Sequence, residues 1–116
     1  MTVAVLTRDL MIASRIIDAG SRAGTTVVRV EAPDALPPPG SLRLLFVDWG
    51  NRAADWAARL PKWCADAPES ERPRLVLFGP HTDLAAHAEA RAAGLGPMLA
   101  RSRLIAELPR LLRAVD

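Results

Sequence analysis

The side chains able to do chemistry in this chain are few, and each follows an apolar run. Asp48 closes Leu44-Leu45-Phe46-Val47, Thr7-Arg8-Asp9 follows Val3-Ala4-Val5-Leu6, His81 comes three residues after Phe78, and Arg101-Ser102 follows Met98-Leu99-Ala100. Brought together, a carboxylate, an imidazole and a guanidinium bind a small anion or move a proton. Taken singly they are ordinary: a strand-end carboxylate that caps the next turn or pairs with Arg8 or Arg101, and a loop histidine bonded within its own turn. His81 has no nucleophile for company, which sets an enzyme behind a non-catalytic reading. Cys64 is the only cysteine, so no intrachain disulfide forms; with no base beside it, it reads as a buried, unreactive thiol in a reducing compartment. His81 and His87 are six apart, a spacing that does not put two ligands on one helix face. No metal site or cofactor is expected, and no Gly-rich loop follows the first apolar run to cradle a dinucleotide.

The elements that must position these residues alternate regularly. Val3–Leu6, Val27–Val30, Leu42–Val47, Leu75–Phe78 and Met98–Ala100 have strand length and β-rich composition. Between them run segments of helical period: Ile12, Ile16, Ala19 and Ala23 recur at spacings of four, three and four in the first. Arg52–Ala65 and Asp83–Ala93 follow the third and fourth strands, and Ser102–Val115 closes the chain, with Pro61 and Pro109 expected to kink or interrupt their helices. The cluster Thr7-Arg8-Asp9 stands where a helix cap is needed, and Gly24 and Gly94 where helices stop. The second crossover, Glu31–Gly40, carries four prolines, leaving room for about one helical turn. This is the pattern of a parallel sheet covered on both faces, a single domain over residues 1–116.

Half of the 116 residues are hydrophobic and the formal net charge is +2, a composition that argues against global disorder. All but Lys62 of the 15 basic residues are arginine and they are spread along the chain, so the pI of 9.5 does not amount to a nucleic-acid footprint. No run of about twenty apolar residues is present to span a membrane, and the first residues lack the basic start of a secretion signal. A cytoplasmic protein is expected.

With Leu-Leu-Phe-Val-Asp48 ending the third strand, and Ala-Arg-Ala-Ala-Gly94-Leu-Gly-Pro-Met-Leu-Ala-Arg101-Ser102 leading into the last helix, the chain resembles the receiver domain of bacterial two-component response regulators over nearly its whole length. The resemblance implies a flavodoxin-like (βα)5 fold, strand order 2-1-3-4-5, with the second helix short or absent, and a pocket where the strand ends converge. It implies Asp48 at the phosphoacceptor position. In the family two acidic residues after the first strand hold Mg²⁺, a Thr or Ser follows the fourth strand, and a Lys-Pro follows the fifth. Here those positions carry Thr7 and Arg8 (with Asp9 next), Gly79, and Arg101-Ser102. Arg8 opposes a cation, Gly79 has no hydroxyl, and Arg101 keeps the charge of Lys but not its geometry. The chain therefore reads as a degenerate, pseudo-receiver member, with Arg101 pairing with Asp48 and holding the pocket in one state without metal.

Three functions follow. The first is a non-catalytic signalling or regulatory module that docks a protein partner independently of phosphorylation; the second is a divergent receiver phosphorylated on Asp48; the third is a small-anion-binding or enzymatic domain using His81 and Arg101. Trp49, Trp56 and Trp63 recur every seven residues, a spacing of two helical turns that suits core packing. Trp49, beside the pocket aspartate, is the one expected to be exposed for a partner. Arg103, Arg110 and Arg113 on the closing helix form a second candidate surface. In receivers the fourth helix, fifth strand and fifth helix also serve for homodimerisation.

Overall fold

The computed structural model describes residues 2–113, so Val115, the expected end of the last helix, lies outside the described residues. Five strands, β1 (Thr2–Leu6), β2 (Val27–Val30), β3 (Leu42–Asp48), β4 (Arg74–Gly79) and β5 (Met98–Ala100), form one parallel sheet in the order β2-β1-β3-β4-β5. The four α-helices are α1 (Leu10–Arg22), α2 (Trp56–Cys64), α3 (Leu84–Ala92) and α4 (Arg101–Arg113). This is the flavodoxin-like arrangement expected from the sequence.

Strand alternation sorts the apolar side chains into two cores. Val3, Val5, Leu44, Phe46, Val76 and Phe78 face α1 and α4, where Ile12, Ile16, Leu104, Leu108, Leu111 and Leu112 meet them. Ala4, Leu6, Leu45, Val47 and Leu77 face α2 and α3 and pack with Trp49, Trp56, Leu60, Ala86 and Ala90. The registers Leu6↔Val47, Asp48↔Phe78 and Gly79↔Ala100 bring four strand ends level. The residues just beyond them meet at one edge.

The second crossover carries no α-helix: two single turns of 3₁₀ helix, Pro33–Ala35 and Pro39–Ser41, replace it. Proline removes the amides a helix would need, and the segment is held from outside instead. Trp63 Nε1 donates to the Pro37 carbonyl at 3.0 Å, and Arg59 pairs with Asp34. The expected breaks at Pro61 and Pro109 do not occur; α2 and α4 run through both prolines. Each proline forfeits a helix bond, at a cost of roughly 3 kcal/mol. The buried faces (Trp56 and Leu60 in α2, the four leucines in α4) hold the helices continuous.

Trp63→Phe should keep the fold but lower stability by about 1 kcal/mol, the value of one lost hydrogen bond. The expected readout is a lower urea midpoint at unchanged slope, with faster amide exchange at Ala35 and Leu36.

Candidate functional site

The site is built at the carboxyl end of β1 and β3. Asp48 is completely buried, and its Oδ2 accepts from Thr7 Oγ1 at 2.7 Å and from Asn51 Nδ2 at 3.0 Å. Thr7 points inward because it continues the parity of Val3 and Val5, and its hydroxyl also accepts from the Asp9 amide at 3.0 Å. Asp9 caps α1: its Oδ1 accepts from the Met11 and Ile12 amides at 3.0 and 3.3 Å. Those amides, Ile12 first, hold its carboxyl below the usual range, with a smaller contribution from Arg101 and some opposition from desolvation.

Arg101, the first residue of α4, reaches both carboxylates. Its Nη1 lies 3.3 Å from Asp9 Oδ2 and its Nη2 lies 3.6 Å from Asp48 Oδ1. The second contact is beyond hydrogen-bonding distance, and Asp48 Oδ1 accepts no hydrogen bond among the described residues. The attraction there is one of charge.

Behind Asp48 the chain turns sharply through a 3₁₀ turn, Trp49–Asn51. Gly50 is pressed against Gly79: a Cβ on Gly79 would stand 2.9 Å from the Gly50 Cα and 2.8 Å from Met98 Sδ. Backbone and Met98 thus leave no room for a side chain at position 79. The absence of a Thr or Ser at Gly79 is a steric requirement of this turn.

Several expectations need correcting. Trp49 is fully buried, not exposed. Its parity is opposite to that of Asp48, so it points to the α2/α3 face, where its Nε1 donates to the Ala86 carbonyl at 2.9 Å. Arg52 covers its ring at 5.1 Å and pairs with Glu89 at 2.8 Å, which holds the Glu89 carboxyl below its usual range. Arg8 alternates outward and is exposed; Glu31, whose carboxyl Arg29 holds below its usual range, feels Arg8 only as a smaller addition. His81 is exposed on the turn after β4, and its carbonyl oxygen lies 2.9 Å from His87 Nε2; it does not join Asp48. Ser102 is exposed in the first turn of α4. Arg103 and Arg110 are exposed but both pair with Glu107, while Arg113 donates to the Pro109 carbonyl at 3.1 Å, so the basic face is partly neutralised. Cys64 is half-buried, and burial pushes its thiol up against a weaker opposing pull from Arg72.

Asn51, Gly50 and the partnership of Asp9 with Arg101 were not foreseen. An asparagine three residues after a strand-end aspartate, flanked by Gly50, was the available signal for the first two. The third depends on α1 and α4 starting side by side, which no local pattern encodes.

The residues present do not fit the Mg²⁺ that the receiver resemblance implies. A hard cation needs a concentration of oxygen ligands. Asp9 Oδ1 is taken by helix amides, Asp48 Oδ2 by Thr7 and Asn51, and the two remaining oxygens face one guanidinium.

A solved structure from Burkholderia pseudomallei, described as pilus assembly-related, matches 99% of this chain and 88% of its own at 15% sequence identity, with a TM-score of 0.67. At that identity the likeness is one of fold. No family model and no curated protein sequence matches the chain. Fold and site together define a flavodoxin-like domain whose strand-end aspartate, Asp48, is enclosed by its own side chains.

Gly79→Ser should not create a working hydroxyl. The new Cβ collides with the Gly50 backbone, and the expected cost is about 1–3 kcal/mol from overpacking, read as a lower urea midpoint with altered Trp49 emission.

The lowered pKa of Asp9 makes a second prediction. A carboxylate held below its unfolded value contributes stability that is present above the unfolded value, about 3.9, and is lost as pH falls through the folded one. Asp9→Asn keeps a capping side chain but removes the charge. Its urea midpoints should therefore depend less on pH below about 4 than those of the wild type; an unchanged acid limb would assign that sensitivity elsewhere.

Proposed function

We propose that the chain is a non-catalytic signalling or regulatory module, a pseudo-receiver that docks a protein partner and does not depend on phosphorylation. The observation that carries this is the enclosure of Asp48. One carboxylate oxygen is saturated by Thr7 and Asn51, the other faces Arg101, and the position for a phosphoryl-binding hydroxyl is occupied by the Gly50–Gly79 contact. Phosphoryl transfer rests almost wholly on positioning and charge stabilisation of the transferring group; here the Thr7 hydroxyl is engaged by Asp48, position 79 carries no hydroxyl, and Arg101 is already shared between Asp9 and Asp48. A fold shared with a protein described as pilus assembly-related supports a docking role.

The surface assigned to docking is that of α3, β5 and α4, including contact with a second copy of the chain. Exposed Arg103, Arg110 and Arg113 lie there. Buried Trp49 drops out of it.

The second reading, phosphorylation of Asp48, draws on one feature: among the described residues Asp48 Oδ1 accepts no hydrogen bond, and it faces a partly exposed guanidinium that would offset added negative charge. The two readings separate in one experiment. Incubation with acetyl phosphate and Mg²⁺ should leave the intact mass and Trp49 emission unchanged. Asp48→Asn should leave self-association unaltered in sedimentation, whereas alanine at Arg103, Arg110 and Arg113 together should weaken it. A stoichiometric gain of one phosphoryl group on the wild type, absent from Asp48→Asn, would replace the first reading by the second.

A further inference from the structure

We infer that Arg101 is the site's resident cation: its guanidinium bridges Asp9 and Asp48, bars divalent metal from this edge, and conceals a metal site that opens when that guanidinium is removed. The inference deepens the phosphorylation-independent reading and rests on it.

The Asp48 side chain is 1% exposed, yet its Oδ1 accepts no hydrogen bond. A carboxylate oxygen buried in that condition is costly unless a positive charge stands by. The described ion pairs of Asp48 reduce to Arg101, at 3.6 Å. The same guanidinium meets Asp9 Oδ2 at 3.3 Å, so two carboxylates from different elements share one cation. Arginine suits this post because it keeps its charge at every accessible pH and its planar fork spans two acceptors. Its position is fixed by the fold: Ala100 pairs in register with Gly79, level with the ends of β1 and β3, and Arg101 begins α4 immediately afterwards. Three junctions, β1–α1, the end of β3 and β5–α4, are thereby joined through one side chain.

A dication approaching Asp9 Oδ2 and Asp48 Oδ1 meets the guanidinium within a few ångströms and is repelled. Both oxygens lie within 3.6 Å of this one guanidinium, and Arg101 is 41% exposed, so removing its side chain leaves two carboxylate oxygens beside an edge that solvent reaches. The unpartnered, buried Oδ1 distinguishes this pair from an ordinary cluster of surface acids.

Titration with Mg²⁺ and, as a paramagnetic probe, Mn²⁺, followed by amide NMR, tests the inference. Wild type should bind no tighter than about millimolar. Arg101→Met should bind at least about tenfold tighter, a change of roughly 1.4 kcal/mol, with Mn²⁺ broadening centred on Thr7, Asp9 and Asp48. Arg101→Met combined with Asp48→Asn should return to wild-type weakness. Arg101→Gln, which removes the charge but retains a polar side chain, should show the same gain and serves if the methionine variant does not fold. Saturation of wild type at tens of micromolar, or a folded Arg101 variant that binds no better than wild type, would overturn the inference. The latter result leaves the acetyl phosphate outcome untouched, so failure of the latch and failure of the functional reading are separately visible.

Discussion

A carboxylate buried at the end of the central strand sets the terms for everything above the sheet. Asp48 lies at the carboxyl end of β3, flanked by β1 and β4, with essentially none of its side chain in water. An ionised group in such a place is tolerated only with hydrogen bonds and a countercharge. Thr7 answers from just after β1, Asn51 from the turn that follows β3, and Arg101 from the start of α4. Each comes from a different stretch of chain. The carboxylate therefore ties the loop after β1 and the junction of β5 with α4 to the centre of the sheet.

The turn after Asp48 has a second consequence. To bring Asn51 back over the carboxylate, the chain tightens into a 3₁₀ turn that lays Gly50 on Gly79, a contact closer than any side chain would allow. Trp49 is driven to the other face of the sheet, where Ala86 and Arg52 fix it. The same few residues thus satisfy Asp48, lay the Gly50 backbone on Gly79, and anchor α3. Changing any one of these contacts disturbs the others, because residues 48–51 carry all of them.

Much of this was legible in the sequence. Strand-length apolar runs alternating with helical periods specify a parallel sheet with two covered faces, because each strand must bury both of its sides. Four prolines between Glu31 and Gly40 rule out a full helix there for lack of amides. The Thr7-Arg8-Asp9 cluster reads as a cap, and Asp48 was expected to pair with Arg8 or Arg101; the structure sets Arg101 beside it at 3.6 Å.

What the tertiary structure alone decided is orientation and proximity. Pro61 and Pro109 were expected to interrupt their helices, yet buried leucines and Trp56 hold both continuous, since packing outweighs a single lost backbone bond. Arg8 and Thr7 are neighbours in sequence, but strand parity sends one to solvent and the other to Asp48. Trp49 looked like a surface aromatic beside a pocket until the turn placed it under α3. The bridge from Asp9 to Arg101 joins residues 92 positions apart. It exists because the sheet order sets the starts of α1 and α4 side by side, a long-range relation that local composition does not carry.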